Sequence, residues 1–349
     1  MGLALATALG ATLATALGGC TGGPTTGLDP RDTGSDAGQP GDGGTSQDLA
    51  LPPGPARWVD SEAELDPQRP WLRLHMVDVG QGDGFVLKLP DGAVLALDGG
   101  PTISGDYEQF LLRKQIERVD YVLLSHAHAD HYLGLGAALR RLPDDCNARV
   151  YDPGFDRTND PNATGYSYFR TTSGCRYRTL ALNQSVVFDR YAAVEVLGAT
   201  AVPYPMQNST GINNTSLLLR VSYGNFRLLL TGDSQTEAEQ AAVAAFPRGL
   251  AATVLKVGHH GSCNASGDTF LARVQPDLLL LSMGNANDFG HPHCQTMGKL
   301  KDRGLRWLRT DINGDVEVVS DGARYTARAA KGSMSDPSCP RACASPTNF

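Results

Sequence analysis

The sequence predicts a mixed α/β (α+β) fold in which two β-sheets pack together and helices lie outside them. Short apolar runs bounded by Gly, Asp and Pro recur between residues 72 and 319, and single helical patterns separate groups of these runs. Three clusters of histidine stand directly after such runs or in glycine-rich loops that follow them. Ligands placed at strand ends sit on a rigid frame beside loops that admit substrate, so the functional site is expected along one edge of the sandwich.

In chain order, Leu72–Val79, Phe85–Leu89 and Ala93–Leu97 read as strands joined by two short hairpin-like links, and Tyr121–Leu124 is the next apolar run. Further strands are expected at Val194–Leu197, Ser216–Val221, Phe226–Leu230, Thr253–Val257, Leu278–Ser282, Arg306–Leu308 and Val316–Val319. Glu237–Ala245, Asp268–Val274 and Thr296–Arg303 carry apolar residues at helical spacing. No internal repeat is present.

The ends of the chain have a different composition. Residues 1–19 contain no charged side chain, and the segment ends in Leu17-Gly18-Gly19-Cys20, which resembles a bacterial lipoprotein signal with Cys20 as the lipidated residue. Residues 20–56 are rich in Gly, Pro and Asp and poor in large apolar side chains, so they read as a disordered tether. The tether carries −4 of the formal net charge of −7. The folded part, expected over 57–330, is therefore no basic nucleic-acid glove. Residues 331–349 form a cysteine-containing tail.

With Cys20 set aside, six cysteines remain, and an exported protein oxidises them. The expected pairs are Cys146 with Cys175, Cys263 with Cys294, and Cys339 with Cys343. The second pair would staple two histidine loops together; Cys263 as a thiolate metal ligand is the alternative.

Seven of the eight histidines fall in the three clusters. The first reads His126-Ala127-His128-Ala129-Asp130-His131 and places four ligand-type side chains within six residues, enough for two adjacent divalent metals. His259 and His260 follow the strand Thr253–Val257, and His291 and His293 follow the loop Gly284–Gly290. His75, inside a predicted strand, reads as structural.

Taken in order, Asp78-Val79-Gly80-Gln81-Gly82-Asp83, Leu97-Asp98-Gly99-Gly100, the His126–His131 motif, Asn213–Ser216, Leu230-Thr231-Gly232-Asp233, Lys256–Ser262 and Gly290–His293 resemble a metallo-β-lactamase-fold hydrolase, specifically the ComEC-like competence domain. The resemblance implies a four-layer αββα metallo-β-lactamase-type sandwich and one or two divalent ions, zinc or manganese. It assigns His126 and His128 to the first ion, Asp130 and His131 to the second, and Asp233 as the carboxylate between them. One of His259 and His260 completes the second position, with His259 favoured as ligand and His260 then facing substrate or Ser262. Asp98 supports a ligand histidine, and a metal-activated water is the nucleophile.

No histidine occurs from Tyr132 to Gly258, where many relatives supply a third ligand to the first ion. Asn213 stands in that stretch and either substitutes as an amide ligand or shapes a turn. Asn suits harder ions such as manganese better than zinc. His291 and His293 are expected to donate to a phosphoryl oxygen or to protonate a leaving group, as catalytic residues alongside Asp130, Asp233 and His260. Asp78, Gln81 and Asp83 support the site or touch substrate. Lys256 either neutralises substrate charge or snorkels at the surface.

The function implied is an exported metal-dependent phosphodiesterase or nuclease acting on DNA or nucleotides. The alternatives are a lactonase, thioesterase or β-lactamase on the same scaffold, or a binding protein that has lost catalysis. After residue 19 no stretch approaches the roughly 20 apolar residues of a membrane helix, so no channel is expected. Membrane association is expected only through a lipid anchor, in the periplasm or at the outer membrane, with an extracellular, secreted location as the alternative.

Overall fold

The computed structural model describes residues 51, 53–198 and 208–340. The leader, Cys20, almost the whole tether and Cys343 lie outside the described residues.

Among the described residues, sixteen strands form two sheets. The first sheet contains β1 (Arg57–Trp58), β2 (Leu72–Met76), β3 (Gly84–Lys88), β4 (Val94–Gly99), β5 (Tyr121–Leu123), β6 (Val150–Asp152) and β7 (Tyr177–Thr179). The second is built from β8 (Ser185–Val186), β9 (Ala192–Gly198), β10 (Leu218–Tyr223), β11 (Phe226–Leu230), β12 (Val254–Lys256), β13 (Leu278–Leu281) and β14 (Arg306–Arg309). The chain then returns to the first sheet through β15 (Val316–Ser320) and β16 (Arg324–Ala329). The strand orders are β1-β16-β15-β2-β3-β4-β5-β6-β7 and β14-β13-β12-β11-β10-β9-β8. Helices α1 (Asp106–Arg113), α2 (Ala129–Tyr132), α3 (Gly136–Leu139) and α4 (Tyr166–Ser173) precede α5 (Ser209–Asn213), α6 (Thr236–Ala245), α7 (Asp268–Val274), α8 (Cys294–Asp302) and α9 (Thr310–Asn313).

Strand periodicity explains the four layers. Leu95 and Leu97 of β4 enter the core between the sheets, whereas Ala96 faces a second core with Phe110 of α1 and Phe169 of α4. Leu278 and Leu280 of β13 likewise point between the sheets, while Leu279 and Leu281 pack with Leu271 of α7 and Leu300 of α8. Strands buried on both faces read as continuous apolar runs, and these are the runs seen in the sequence. Burying each such leucine contributes about 1.5–3 kcal/mol. The result is an αββα sandwich with one core inside and one under each helical layer.

The parallel strands position the site. β4 and β5 run parallel, as do β11, β12 and β13. The carboxyl ends of these five strands deliver Asp98, the His126–His131 loop, Asp233, His259–His260 and the loop leading to His291.

The expected strands and helices all form, with ends shifted by a few residues. Helix α1 is not among the expected helices, although Tyr107, Phe110 and Leu111 are its buried positions at helical spacing. Nor is α4, whose Ser, Thr and aromatic content favours helix weakly and which is held by burial of Tyr166 and Phe169.

Of the expected disulfides, Cys146–Cys175 forms, with the Cα atoms 5.2 Å apart. Cys294 pairs with Cys339 rather than with Cys263, again at 5.2 Å, which also corrects the expected Cys339–Cys343 pair. Cys263 is itself disulfide-bonded, so it is not a thiolate metal ligand. The reason lies in the segment after β16, which runs back along β14. There Ser335 N donates to Trp307 O at 2.8 Å and Trp307 Nε1 donates to Asp336 O at 2.9 Å, bringing Cys339 to the start of α8. The two histidine loops are joined instead by hydrogen bonds: His293 N donates to Gly261 O at 3.0 Å, Cys263 N to His293 Nδ1 at 3.0 Å, and Thr296 Oγ1 to Ser262 O at 3.1 Å.

Closing a loop of 45 residues contributes on the order of 4 kcal/mol in the chain-entropy model. Replacing both partners, Cys294→Ser with Cys339→Ser, is expected to lower the unfolding midpoint accordingly. Peptide mapping without reduction checks the pairing, and a fragment joining Cys294 to Cys263 would contradict it.

Candidate metal centre

The chain leaves β5 at Leu123 and turns so that His126 and His131 are both fully buried. His131 lies in α2. Its Nδ1 bonds Asp98 Oδ2 at 2.8 Å, and Asp98 is itself fixed by Ser125, whose N and Oγ donate to it at 2.8 and 2.6 Å. This pins the ring's tautomer and leaves Nε2 pointing at Asp233 Oδ2 (3.4 Å) and Asp130 Oδ2 (3.8 Å). His260 is held the same way from the other sheet. Its Nδ1 donates to Ser282 O at 2.7 Å, and its Nε2 faces Asp233 Oδ2 at 3.1 Å and Asp130 Oδ2 at 3.5 Å.

Asp130, His131, Asp233 and His260 thus present ligand atoms that all lie within 4.8 Å of one another. Both Nε2 atoms are buried and neither makes a hydrogen bond. Buried polar atoms are normally satisfied, and two imidazoles with two carboxylates form a donor set that suits a borderline divalent cation. Charge balance leads to the same conclusion. Among the described residues, Asp83, Asp98, Asp130 and Asp233 cluster here against one ammonium, that of Lys256, which leaves excess negative charge while the imidazoles are neutral. Burial alone would depress the His131 and His260 rings, but these carboxylates, Asp233 foremost, hold both well above the ordinary histidine range. Protonated rings there balance part of the charge that a cation would otherwise offset.

His126 and His128 meet with Nε2 and Nδ1 3.0 Å apart, and His126 Nε2 lies 3.9 Å from Asp233 Oδ2. Burial holds both rings below the ordinary range, keeping them neutral as metal ligands must be. Asp233 Oδ2 therefore faces histidines from two clusters at once.

Beneath the site, Lys256 is fully buried. Its Nζ contacts Asp83 Oδ2 at 2.6 Å, Gly232 O at 2.6 Å and Asp233 Oδ1 at 3.4 Å. It neither snorkels nor lines the cleft; it holds the far oxygen of Asp233 so that Oδ2 turns toward the histidines. Asp83 belongs to a loop pressed against α2: Asp83 N donates to Asp130 O at 3.2 Å, and a Cβ on Gly82 would lie 2.2 Å from that oxygen. Only glycine allows this approach. Strain is also stored in Asp98, His259 and His260, which adopt left-handed backbone at φ 52, 46 and 53°.

The left-handed turn sends the two adjacent histidines apart. His259 faces amides rather than the carboxylates, with Nε2 3.3 Å from Asn213 Nδ2 and Nδ1 3.1 Å from Asn264 Oδ1. The structure therefore gathers His260, and not His259, with Asp130, His131 and Asp233. Asn213 lies on the cleft wall, and its Oδ1 is buried without a hydrogen bond.

A cleft of about 420 Å³ opens over this floor, lined in part by Gln81, His128, Asp130, Asn213, Asp233 and His291. His291 has an unpaired buried Nδ1, and burial with neighbouring His260 lowers its ring to about 2. His293 is turned onto Cys263 N, Ser262 is buried under α8, and Asp78 N donates to Asp315 Oδ1 at 2.9 Å; none of the three lines the cleft. The cleft also includes Arg157, Asn162, Ser209 and Phe289, which carry no motif. Only Phe289 had a readable signal, as an aromatic residue in a glycine-bounded loop.

Residues 77–284 match the family model for the metallo-beta-lactamase superfamily. The chain is 31% identical to ComE operon protein 3 of Bacillus subtilis, over 80% of this chain and 35% of that protein. It is 37% identical to competence protein ComA of Neisseria gonorrhoeae over 30% of this chain and 15% of that protein, and 26% identical to recombination protein 2 of Haemophilus influenzae over 72% and 29%. It spans about a third or less of the length of each of these relatives. A superfamily built on one or two metal ions agrees with the buried His/Asp cluster, and the chain belongs to the metallo-beta-lactamase superfamily as a ComEC-like domain.

Proposed function

We propose that this chain is a metal-dependent phosphodiesterase or nuclease, acting on DNA or nucleotide phosphodiesters. One observation carries the reading: Asp233 Oδ2 lies 3.9, 3.4 and 3.1 Å from the ring nitrogens of His126, His131 and His260, so this carboxylate faces both groups of histidines that would hold cations. Asp130, His131 and His260 would hold one ion. His126 and His128 would hold the other, with Asn213 as the amide that completes it. Bound there, a pair of divalent ions supplies Lewis acidity and an activated water, a clamp suited to in-line phosphoryl displacement.

The protein's own groups set the geometry. Asp98 and Ser282 orient the two rings, and Lys256 orients Asp233. His291 lines the cleft beside His260, and its ring is the group that would hydrogen-bond a non-bridging phosphoryl oxygen. The two-nitrogen, two-oxygen set favours zinc, whereas the amide at the other position favours manganese. The names of the relatives join them to competence and recombination, which supports a nucleic-acid substrate. Among the described residues no helix is long and apolar enough to cross a membrane. The oxidised cysteines support export, with a lipid on Cys20 as tether, to the periplasm or outer membrane.

The protein is expected to hydrolyse bis-p-nitrophenyl phosphate and single-stranded DNA with zinc or manganese; turnover of only a lactone or a cephalosporin would refute this. His260→Ala should remove about one equivalent of bound metal by mass spectrometry and abolish turnover, whereas His259→Ala should retain that equivalent. The reverse pattern would exchange the two roles. Lys256→Met is expected to weaken metal affinity about 10- to 100-fold, as loss of a group that orients a ligand does; an unchanged titration would show that Asp233 needs no such support.

A further inference from the structure

Among the described residues lining the cleft, Phe289 is the only large apolar side chain that is exposed, at 59%. Its loop is not loosely attached. Asn287 Nδ2 donates to Gly284 O at 2.9 Å and to His291 O at 2.7 Å, while His291 N donates back to Asn287 Oδ1 at 2.9 Å. Gly284 packs against the backbone of Gln81. A clasped loop that holds a phenyl ring in water at the mouth of a polar cleft forgoes apolar burial.

The orientation of the ring adds a second observation. Phe289 lies nearly parallel to the His291 imidazole, at 15° with centroids 5.6 Å apart, and His291 is in turn 6.0 Å from His260. Aromatic rings thus lead from the proposed metal floor to the rim. A group that docks there is flat, has a π-face, and is attached at short reach to the reacting centre. In a phosphodiester that description fits a nucleobase, carried by the sugar next to the scissile phosphate.

We propose that Phe289, backed by His291, is a stacking platform for an unpaired nucleobase beside the scissile phosphate, so that single-stranded ends and nucleoside diesters are the preferred substrates. The inference rests on the phosphodiesterase reading. A base paired within a duplex has its faces covered by its neighbours and cannot use the platform, so duplex DNA is disfavoured.

The test compares thymidine 5′-(p-nitrophenyl phosphate) with methyl p-nitrophenyl phosphate, which share a leaving group and differ by the nucleoside. The ratio of their kcat/KM values should fall about tenfold in Phe289→Ala, through KM, and should be retained in Phe289→Trp. As a readout independent of turnover, a phosphorothioate oligonucleotide bearing 2-aminopurine should lose fluorescence on binding the wild-type protein and Phe289→Trp, but not Phe289→Ala. An unchanged ratio together with unchanged quenching in Phe289→Ala would overturn the platform. Absence of turnover on both esters by the wild type would instead sink the phosphodiesterase reading, and the quenching would still decide the stacking.

Discussion

Most of this site follows from one carboxylate. Asp233 is buried with one oxygen held by Lys256 and the other turned toward three imidazoles, inside a pocket where, among the described residues, carboxylates outnumber ammonium groups. Isolated charge in such a place is costly, and a buried carboxylate stays ionised only if positive charge is close by. In the protein alone, His131 and His260 are pushed toward protonation to supply it. A divalent cation held by Asp130, His131, Asp233 and His260 would supply it with both rings neutral. Metal affinity at this candidate site would therefore be the other side of an electrostatic deficit built into the fold.

The fold creates that deficit by topology. Five parallel strands, β4 and β5 from one sheet and β11 to β13 from the other, end on the same edge. Each carries buried apolar side chains on both faces, so the strands are rigid and the polar residues just past their ends are held firmly. Tight backbone approaches complete the arrangement. Gly82 against the Asp130 carbonyl and the left-handed turn at His259–His260 are steric devices that aim ligands from distant parts of the chain at one point.

Much of this was legible in the sequence. The apolar runs revealed the strands because strands buried on both faces leave a continuous signal, and the His126–His131 motif marked the site because four ligand-type side chains rarely fall within six residues by chance. What was not legible depended on backbone geometry or on long-range packing. His259 and His260 are adjacent and chemically identical, and only the positive φ angles show which ring turns to the carboxylates. Lys256 looks like a surface lysine beside a strand until β12 is seen to be central in its sheet. The path of the chain after β16 along β14 left no pattern that would pair Cys339 with Cys294. Arg157 and Asn162 reach the cleft from a loop, where residue type carries little information about direction.

The central claim, that Asp130, His131, Asp233 and His260 converge on a cation, is tested most directly by anomalous diffraction from crystals grown with zinc or manganese. A peak within coordination distance of all four side chains is expected. A map with no peak among them, or with density on His259 in place of His260, would contradict it.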